Sequence, residues 1–124
     1  MSRILIKKDF RRPDFDSAVR QTALEELAGF GQIDDYAGEL TADNGGTDVV
    51  AVIASSLWIH EDFYDANPQL RIIARYGVGY EKVRVELCTQ RGILVTCAPE
   101  HMVTVAEYTI AQWMATLKRL YTLN

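Results

Sequence analysis

A chain of 124 residues can form one domain with one hydrophobic core, but it is too short for two domains that each bury their own. The composition, 48% hydrophobic and 24% charged residues, is typical of a folded globular protein. The net charge of -4 argues against a nucleic-acid partner, which would require a basic surface. There is neither an apolar run of the roughly 20 residues that span a bilayer nor an N-terminal signal sequence. We therefore expect a cytoplasmic protein that binds neither nucleic acid nor membranes.

The first half of the chain predicts three strands and one helix. Residues 3–7 form a short apolar-centred run before Pro13, and apolar residues then recur at helical spacing over residues 15–28. Residues 32–36 predict a weak second strand. After a turn at residues 43–46, six consecutive apolar residues at 49–54 predict a strand that is buried on both faces, as in a parallel sheet.

The second half continues the alternation of helices and strands. Residues 61–67 predict a short helix ended by Pro68, and residues 70–76 a fourth strand. A helix at residues 83–91 ends at Gly92, and residues 93–96 form a fifth strand. This order predicts an α/β fold, a flavodoxin-like three-layer sandwich with about five parallel strands in the order 2-1-3-4-5.

The last predicted helix, residues 103–121, carries a wide apolar stripe that suits a helix with two partners. For any one of its residues, packing in the core of the domain is the stronger interpretation, and association with a second copy is the other. The stripe consists of Ala106, Ile110, Trp113, Met114, Leu117, Leu120 and Tyr121.

Two further features bear on metal or anion sites. Cys88 and Cys97 lie on different predicted elements without the spacing of a metal site or redox pair, so we expect free thiols in a reducing compartment. A basic cluster follows the first strand, and interspersed acidic residues favour its interpretation as a solvated connection. The cluster consists of Lys7, Lys8, Arg11 and Arg12.

A glycine turn follows the fourth strand and precedes a helix, as in the dinucleotide fingerprint G-x-G-x-x-G. Lys82 stands where the third glycine would be, and no acidic residue ends a strand about 20 residues later, so a pyrophosphate loop is disfavoured. Amides of a glycine-rich turn at the carboxyl end of a parallel strand can still hold a small anion. A tight turn without a ligand is the equally weighted alternative.

Three segments together resemble one known family, the D-isomer-specific 2-hydroxyacid dehydrogenases. They are Arg75-Tyr76-Gly77-Val78-Gly79, Ile93-Leu94-Val95-Thr96 and Val105-Ala106-Glu107-Tyr108-Thr109-Ile110-Ala111. The resemblance covers residues 70–118 and implies the substrate domain of an enzyme that exchanges hydride between NAD or NADP and a small 2-hydroxy or 2-keto acid. It also implies that the nucleotide-binding domain and the catalytic Arg, Glu and His lie beyond Asn124. We therefore expect a truncated dehydrogenase with no catalytic residue, no bound cofactor and no activity of its own.

The resemblance also assigns roles to individual residues. Main-chain amides of Val78 and Gly79 would hold the substrate carboxylate, with Gly77 giving the turn its freedom. A polar residue matching His101 faces the substrate cleft in parts of the family, so His101 is a further substrate-binding candidate. Thr104 and Val105 match positions that touch the nicotinamide end of the cofactor.

The chain departs from the family where Glu81-Lys82-Val83-Arg84 replaces a segment whose final Asp caps a helix, because Arg84 cannot cap it in that way. Glu100, His101 and Glu107 invite interpretation as an acid/base cluster, but their placement favours local packing roles. The family's dimer interface includes the last helix, so a homodimer is expected. The alternative function is a stand-alone α/β module that binds a small carboxylate or mediates dimerisation.

Overall fold

Five parallel strands form the centre of the protein, in a computed structural model that describes residues 2–11, 17–99 and 102–122. The sheet order is β2-β1-β3-β4-β5, and every neighbouring pair is parallel. The predicted α/β sandwich and its strand order are therefore confirmed. The strands are β1 (Arg3–Lys7), β2 (Gln32–Tyr36), β3 (Val49–Ala54), β4 (Ile72–Arg75) and β5 (Leu94–Thr96).

Helices connect these strands and are shorter than predicted in the second half of the chain. The α-helices are α1 (Ser17–Ala28), α2 (Glu61–Ala66), α3 (Val85–Gln90) and α4 (Met102–Leu117). Short 3-10 segments cover Lys8–Arg11, Ala42–Asn44 and Leu120–Thr122. The last α-helix ends before its predicted limit because Arg119 adopts a left-handed backbone conformation with φ of 52°. Arg84 precedes α3 without a side-chain capping hydrogen bond, as its side chain led us to expect.

The hydrophobic core lies between the middle strands and α2. Leu5, Val52 and Ile73 come from the three central strands and are at most 1% exposed, and they pack in one cluster with Phe63 and Tyr64 of α2. All six residues of β3 are buried or half-buried, which agrees with a strand covered on both faces.

Helix α4 takes no part in this core. None of its described residues is buried, and Trp113 is 64% exposed. The interpretation of its apolar stripe as core packing is therefore wrong. A periodic apolar face shows that a helix has a partner, but it does not say whether that partner lies in the same domain.

A buried asparagine closes α2 against a neighbouring loop. Asn67 donates from Nδ2 to the carbonyl of Phe63 over 2.8 Å, and its backbone N–H donates to the carbonyl of Tyr64 over 3.4 Å. Its side chain is fully enclosed, and the backbone of Gly45 lies directly against the amide group. A Cβ atom at position 45 would collide with Asn67 Nδ2.

We expect the substitution Gly45→Ala to lower the free energy of unfolding by about 1–3 kcal/mol, the usual cost of overpacking a filled interior. The backbone φ of -99° at Gly45 suits alanine, so the collision with Asn67 is the expected cause. Urea unfolding followed by circular dichroism measures the change.

The matched control is Gly46→Ala. Its Cβ would meet only the ends of the Arg3 and Asp48 side chains, which are not buried and can move. We expect this control to cost clearly less, and equal losses for the two variants would contradict the collision with Asn67.

Candidate functional site

The glycine turn lies at the carboxyl end of β4, the edge of a parallel sheet where ligands of α/β proteins bind. The N–H of Tyr76 donates to Ala54, and that of Gly77 donates to Arg75, over 2.8 and 3.0 Å. Gly77 has φ of 134°, a conformation that residues with a side chain rarely adopt. Its carbonyl accepts a hydrogen bond of 2.9 Å from Ala98, which ties the turn to the segment after β5.

The next two amides of the turn have no partner within the described part of the chain. Neither the N–H of Val78 nor that of Gly79 donates to a described residue, and Val78 is 37% exposed. Two adjacent amides without acceptors at the end of a parallel strand form an arrangement that can bind a small anion. The substrate-binding roles predicted for Gly77, Val78 and Gly79 thus fall on one continuous turn.

Arg75 supports this turn from the buried side, which the sequence alone did not indicate. Its Nε donates to the carbonyl of Gly79 over 2.6 Å, and its Nη1 donates to the carbonyl of Ala54 over 2.8 Å. The side chain is 7% exposed, although arginine is rarely buried to this degree. The carbonyl of Gly79 is therefore held toward the protein interior.

A second buried cation lies at the same edge of the sheet. Lys7 at the end of β1 is 7% exposed, and its Nζ lies 5.5 Å from the centre of the Tyr36 ring. Burial raises the pKa of Tyr36 to about 12, so this phenol is neutral at physiological pH. The interpretation of Lys7 as part of a solvated connection is wrong, because the end of β2 covers it, whereas Lys8 is exposed as predicted.

An open cavity of about 260 Å³ separates the turn from the start of α4. It brings Val78 of the turn together with Val105, the residue predicted to touch the nicotinamide. Met102 and Ala106 complete a lining that is almost entirely apolar. The sequence did not predict Met102 or Ala106 as site residues, although Met102, Val105 and Ala106 follow the i, i+3, i+4 spacing of one helix face.

Thr104, the other residue predicted to contact the cofactor, does not join this cavity. It is exposed on α4. His101 and Glu100 lie outside the described residues, and Glu107 is exposed. No group of three potential metal ligands occurs within residues 2–11, 17–99 and 102–122. None of the helices described is long and apolar enough to cross a membrane.

The geometry also disfavours the dinucleotide fingerprint. Lys82, in place of the third glycine, lies with its Nζ 4.1 Å from the centre of the Trp58 ring. Helix α3 begins at Val85, so several residues separate the turn from it, whereas the fingerprint leads directly into a helix. The two thiols are free, and burial raises the pKa of Cys88, which leaves it protonated and unreactive at neutral pH.

The sequence model of the D-isomer specific 2-hydroxyacid dehydrogenase catalytic domain matches residues 15–123. The chain belongs to this family. Glyoxylate reductase of Thermococcus kodakarensis is 41% identical over 63 residues, which cover 50% of this chain and 19% of that relative. D-3-phosphoglycerate dehydrogenase of Methanocaldococcus jannaschii is 32% identical over 72 residues, or 57% of this chain and 14% of the relative.

A solved structure agrees with the assignment of this chain to the dehydrogenase family. The NADPH-dependent glyoxylate/hydroxypyruvate reductase of Sinorhizobium meliloti, in complex with NADP and malonate, superimposes with a TM-score of 0.68 and 27% sequence identity. The superposition covers 93% of this chain and 34% of that reductase. This chain of the 2-hydroxyacid dehydrogenase family thus spans about a third of the length of that structural relative.

We expect Gly77→Ala to lower the free energy of unfolding by about 1–3 kcal/mol, since φ of 134° is strained for any residue with a side chain. Gly79→Ala is the matched control in the same turn. Its Cβ would meet only the exposed Glu81 carboxylate, 2.6 Å away, which can move aside. Urea unfolding of both variants measures the difference, and a larger loss at position 79 would refute the role of the backbone at Gly77.

Proposed function

We propose that this chain is the substrate-binding part of an NAD- or NADP-dependent oxidoreductase that interconverts 2-hydroxy and 2-keto acids. The observation that carries the proposal is the pair of amides at Val78 and Gly79, which lie at the carboxyl edge of the sheet and donate to no acceptor among the described residues. Two N–H groups match the two oxygens of a carboxylate, and such charge-assisted hydrogen bonds are among the stronger ones in proteins. Relatives named as glyoxylate reductases, and a structural relative that binds malonate, support a small carboxylate as the ligand.

The cavity beside the turn suits the cofactor end of such a site. Its apolar lining by Val78, Met102 and Val105 fits the face of a nicotinamide ring, which would lie next to the carboxylate held by the turn. When bound, the nicotinamide supplies or accepts the hydride. The residues of this chain would orient the acid and shield it from water. None of the described residues that line the cavity has a titratable side chain, and we expect the 124 residues alone to catalyse no turnover.

The test of substrate binding is a titration of the uniformly ¹⁵N-labelled chain with glyoxylate, followed by amide chemical shifts. We expect saturable shifts centred on Val78 and Gly79, because their N–H groups gain an acceptor. Glyoxylamide, which has no carboxylate charge, is the control ligand and should leave these signals in place. Flat titrations with glyoxylate would refute the assignment of the turn, and oxidation of NADH with glyoxylate by this chain would refute its inactivity.

We further propose that α4 pairs with α4 of a second copy. Soluble monomers rarely expose large apolar patches, and α4 exposes Trp113, Met114 and Leu117. An antiparallel pair would also bring Glu107 in the first half of one helix toward Lys118 and Arg119 after the other. Pairing through α4 would serve both a complete dehydrogenase and a stand-alone assembly module.

The free thiols support the proposal of a reducing compartment such as the cytoplasm.

We expect Trp113→Glu to convert the dimer into a monomer, because it places a charge in the centre of the apolar stripe. Gln112→Glu adds the same charge at the adjacent, half-buried position on another side of α4 and should leave the dimer intact. Sedimentation equilibrium at micromolar concentration measures both. A monomeric parent chain, or equal behaviour of the two variants, would contradict pairing through this stripe.

A further inference from the structure

The most unusual charged group in the structure is Arg75, directly before the glycine turn. We infer that Arg75 is the positioning residue of the carboxylate site, holding the turn from the buried side and supplying the positive charge that makes it select anions. This inference rests on the proposed binding of a carboxylate by the turn. It adds a residue that would not touch the ligand and would act through the backbone of Gly79.

The first argument is geometric. The bond to the carbonyl of Gly79 fixes the plane of the peptide between Gly79 and Tyr80, and anchoring this end of the short turn restricts the conformations open to the amides of Val78 and Gly79 that precede it. Arg75 fixes it with Nε, while Nη1 binds Ala54 on the neighbouring strand β3. The planar guanidinium thereby bridges the turn and the sheet as one unit. The amides of Val78 and Gly79 donate to no acceptor among the described residues, so they are available to a ligand.

The second argument is electrostatic. Arg75 is 7% exposed, its two hydrogen bonds go to neutral carbonyls, and within the described residues no carboxylate lies within ion-pair distance of it. A buried cation without an anion is costly, whereas the ion pairs elsewhere in the described chain lie at its surface or are only half-buried. A carboxylate on the turn would supply the missing negative charge.

Lys7 provides a matched comparison. It is also 7% exposed and also lies at the carboxyl end of a strand, but its recorded contact is with the Tyr36 ring and not with the turn. If any buried cation at this edge were sufficient, Lys7 and Arg75 would have equal effects on anion binding. If the hydrogen bond to the carbonyl of Gly79 is required, only substitution of Arg75 will have a large effect on anion binding.

The experiment measures malonate binding by amide shifts of Val78 and Gly79 in the parent chain and in Arg75→Met, Arg75→Lys and Lys7→Met. We expect Arg75→Met to weaken binding by about tenfold or more, which corresponds to the usual worth of a hydrogen bond to a charged group. Arg75→Lys should recover part of the loss, because it keeps the charge without the planar fork. Lys7→Met should stay within about twofold of the parent, since strand β3 separates the strand of Lys7 from that of Arg75 and the interaction between charges weakens with distance. Neutral malonamide should produce no shift in any of them.

A second measurement in the unmodified chain does not depend on any variant folding. The Nε–H signal of Arg75 should shift along with the amides of Val78 and Gly79 as malonate is added, because its acceptor belongs to the same turn. The role of Arg75 is overturned if folded Arg75→Met binds malonate as tightly as the parent chain. It is also overturned if the Nε–H signal of Arg75 does not move while malonate saturates the parent. In either case the turn would remain a carboxylate site. A parent chain that does not respond to malonate overturns the proposed function itself.

Discussion

The parallel pairing of β3 with β4 is the constraint on which the candidate site depends. Its register places Ala54 beside Arg75, so that the carbonyl of Ala54 accepts hydrogen bonds both from the Tyr76 amide and from the Arg75 guanidinium. The chain can then leave the sheet only through Gly77, whose positive φ turns it back across the strand end. The amides of Val78 and Gly79 that follow donate to no acceptor within the described part of the chain.

The folded domain and its last helix have different physical origins. The sheet and α2 bury a continuous core that includes Leu5, Val52, Phe63 and Ile73, and this burial stabilises the domain. Helix α4 shares none of that core, and an isolated helix of 16 residues is only marginally stable in water. In the proposed pairing, contacts with α4 of a second copy would bury its apolar stripe. The same helix lines the cavity beside the turn through Met102, Val105 and Ala106. Association with a second copy and binding of a ligand would therefore both stabilise α4.

The chain belongs to the 2-hydroxyacid dehydrogenase family, and its candidate site combines the glycine turn with an open cavity. The chain spans about a third of the Sinorhizobium reductase and a smaller share of the Thermococcus glyoxylate reductase. The Sinorhizobium reductase was solved with both NADP and malonate. In the proposed function, the turn would contact a carboxylate and the apolar cavity would contact a flat ring.

The sequence by itself determined the alternation of strands and helices, because apolar runs such as residues 49–54 and punctuation by Gly92 and Pro68 are local signals. It also determined the glycine turn, since the change of direction after β4 requires a residue without a side chain. Only the tertiary structure decided that Lys7 and Arg75 are buried and that α4 is not. The burial of a long charged side chain depends on strands that are distant in sequence. An apolar stripe on a helix has the same sequence pattern whether the helix packs against its own domain or against another surface. For the same reason Arg75, Met102 and Ala106 became part of the candidate site only when the sheet and α4 placed them around the turn.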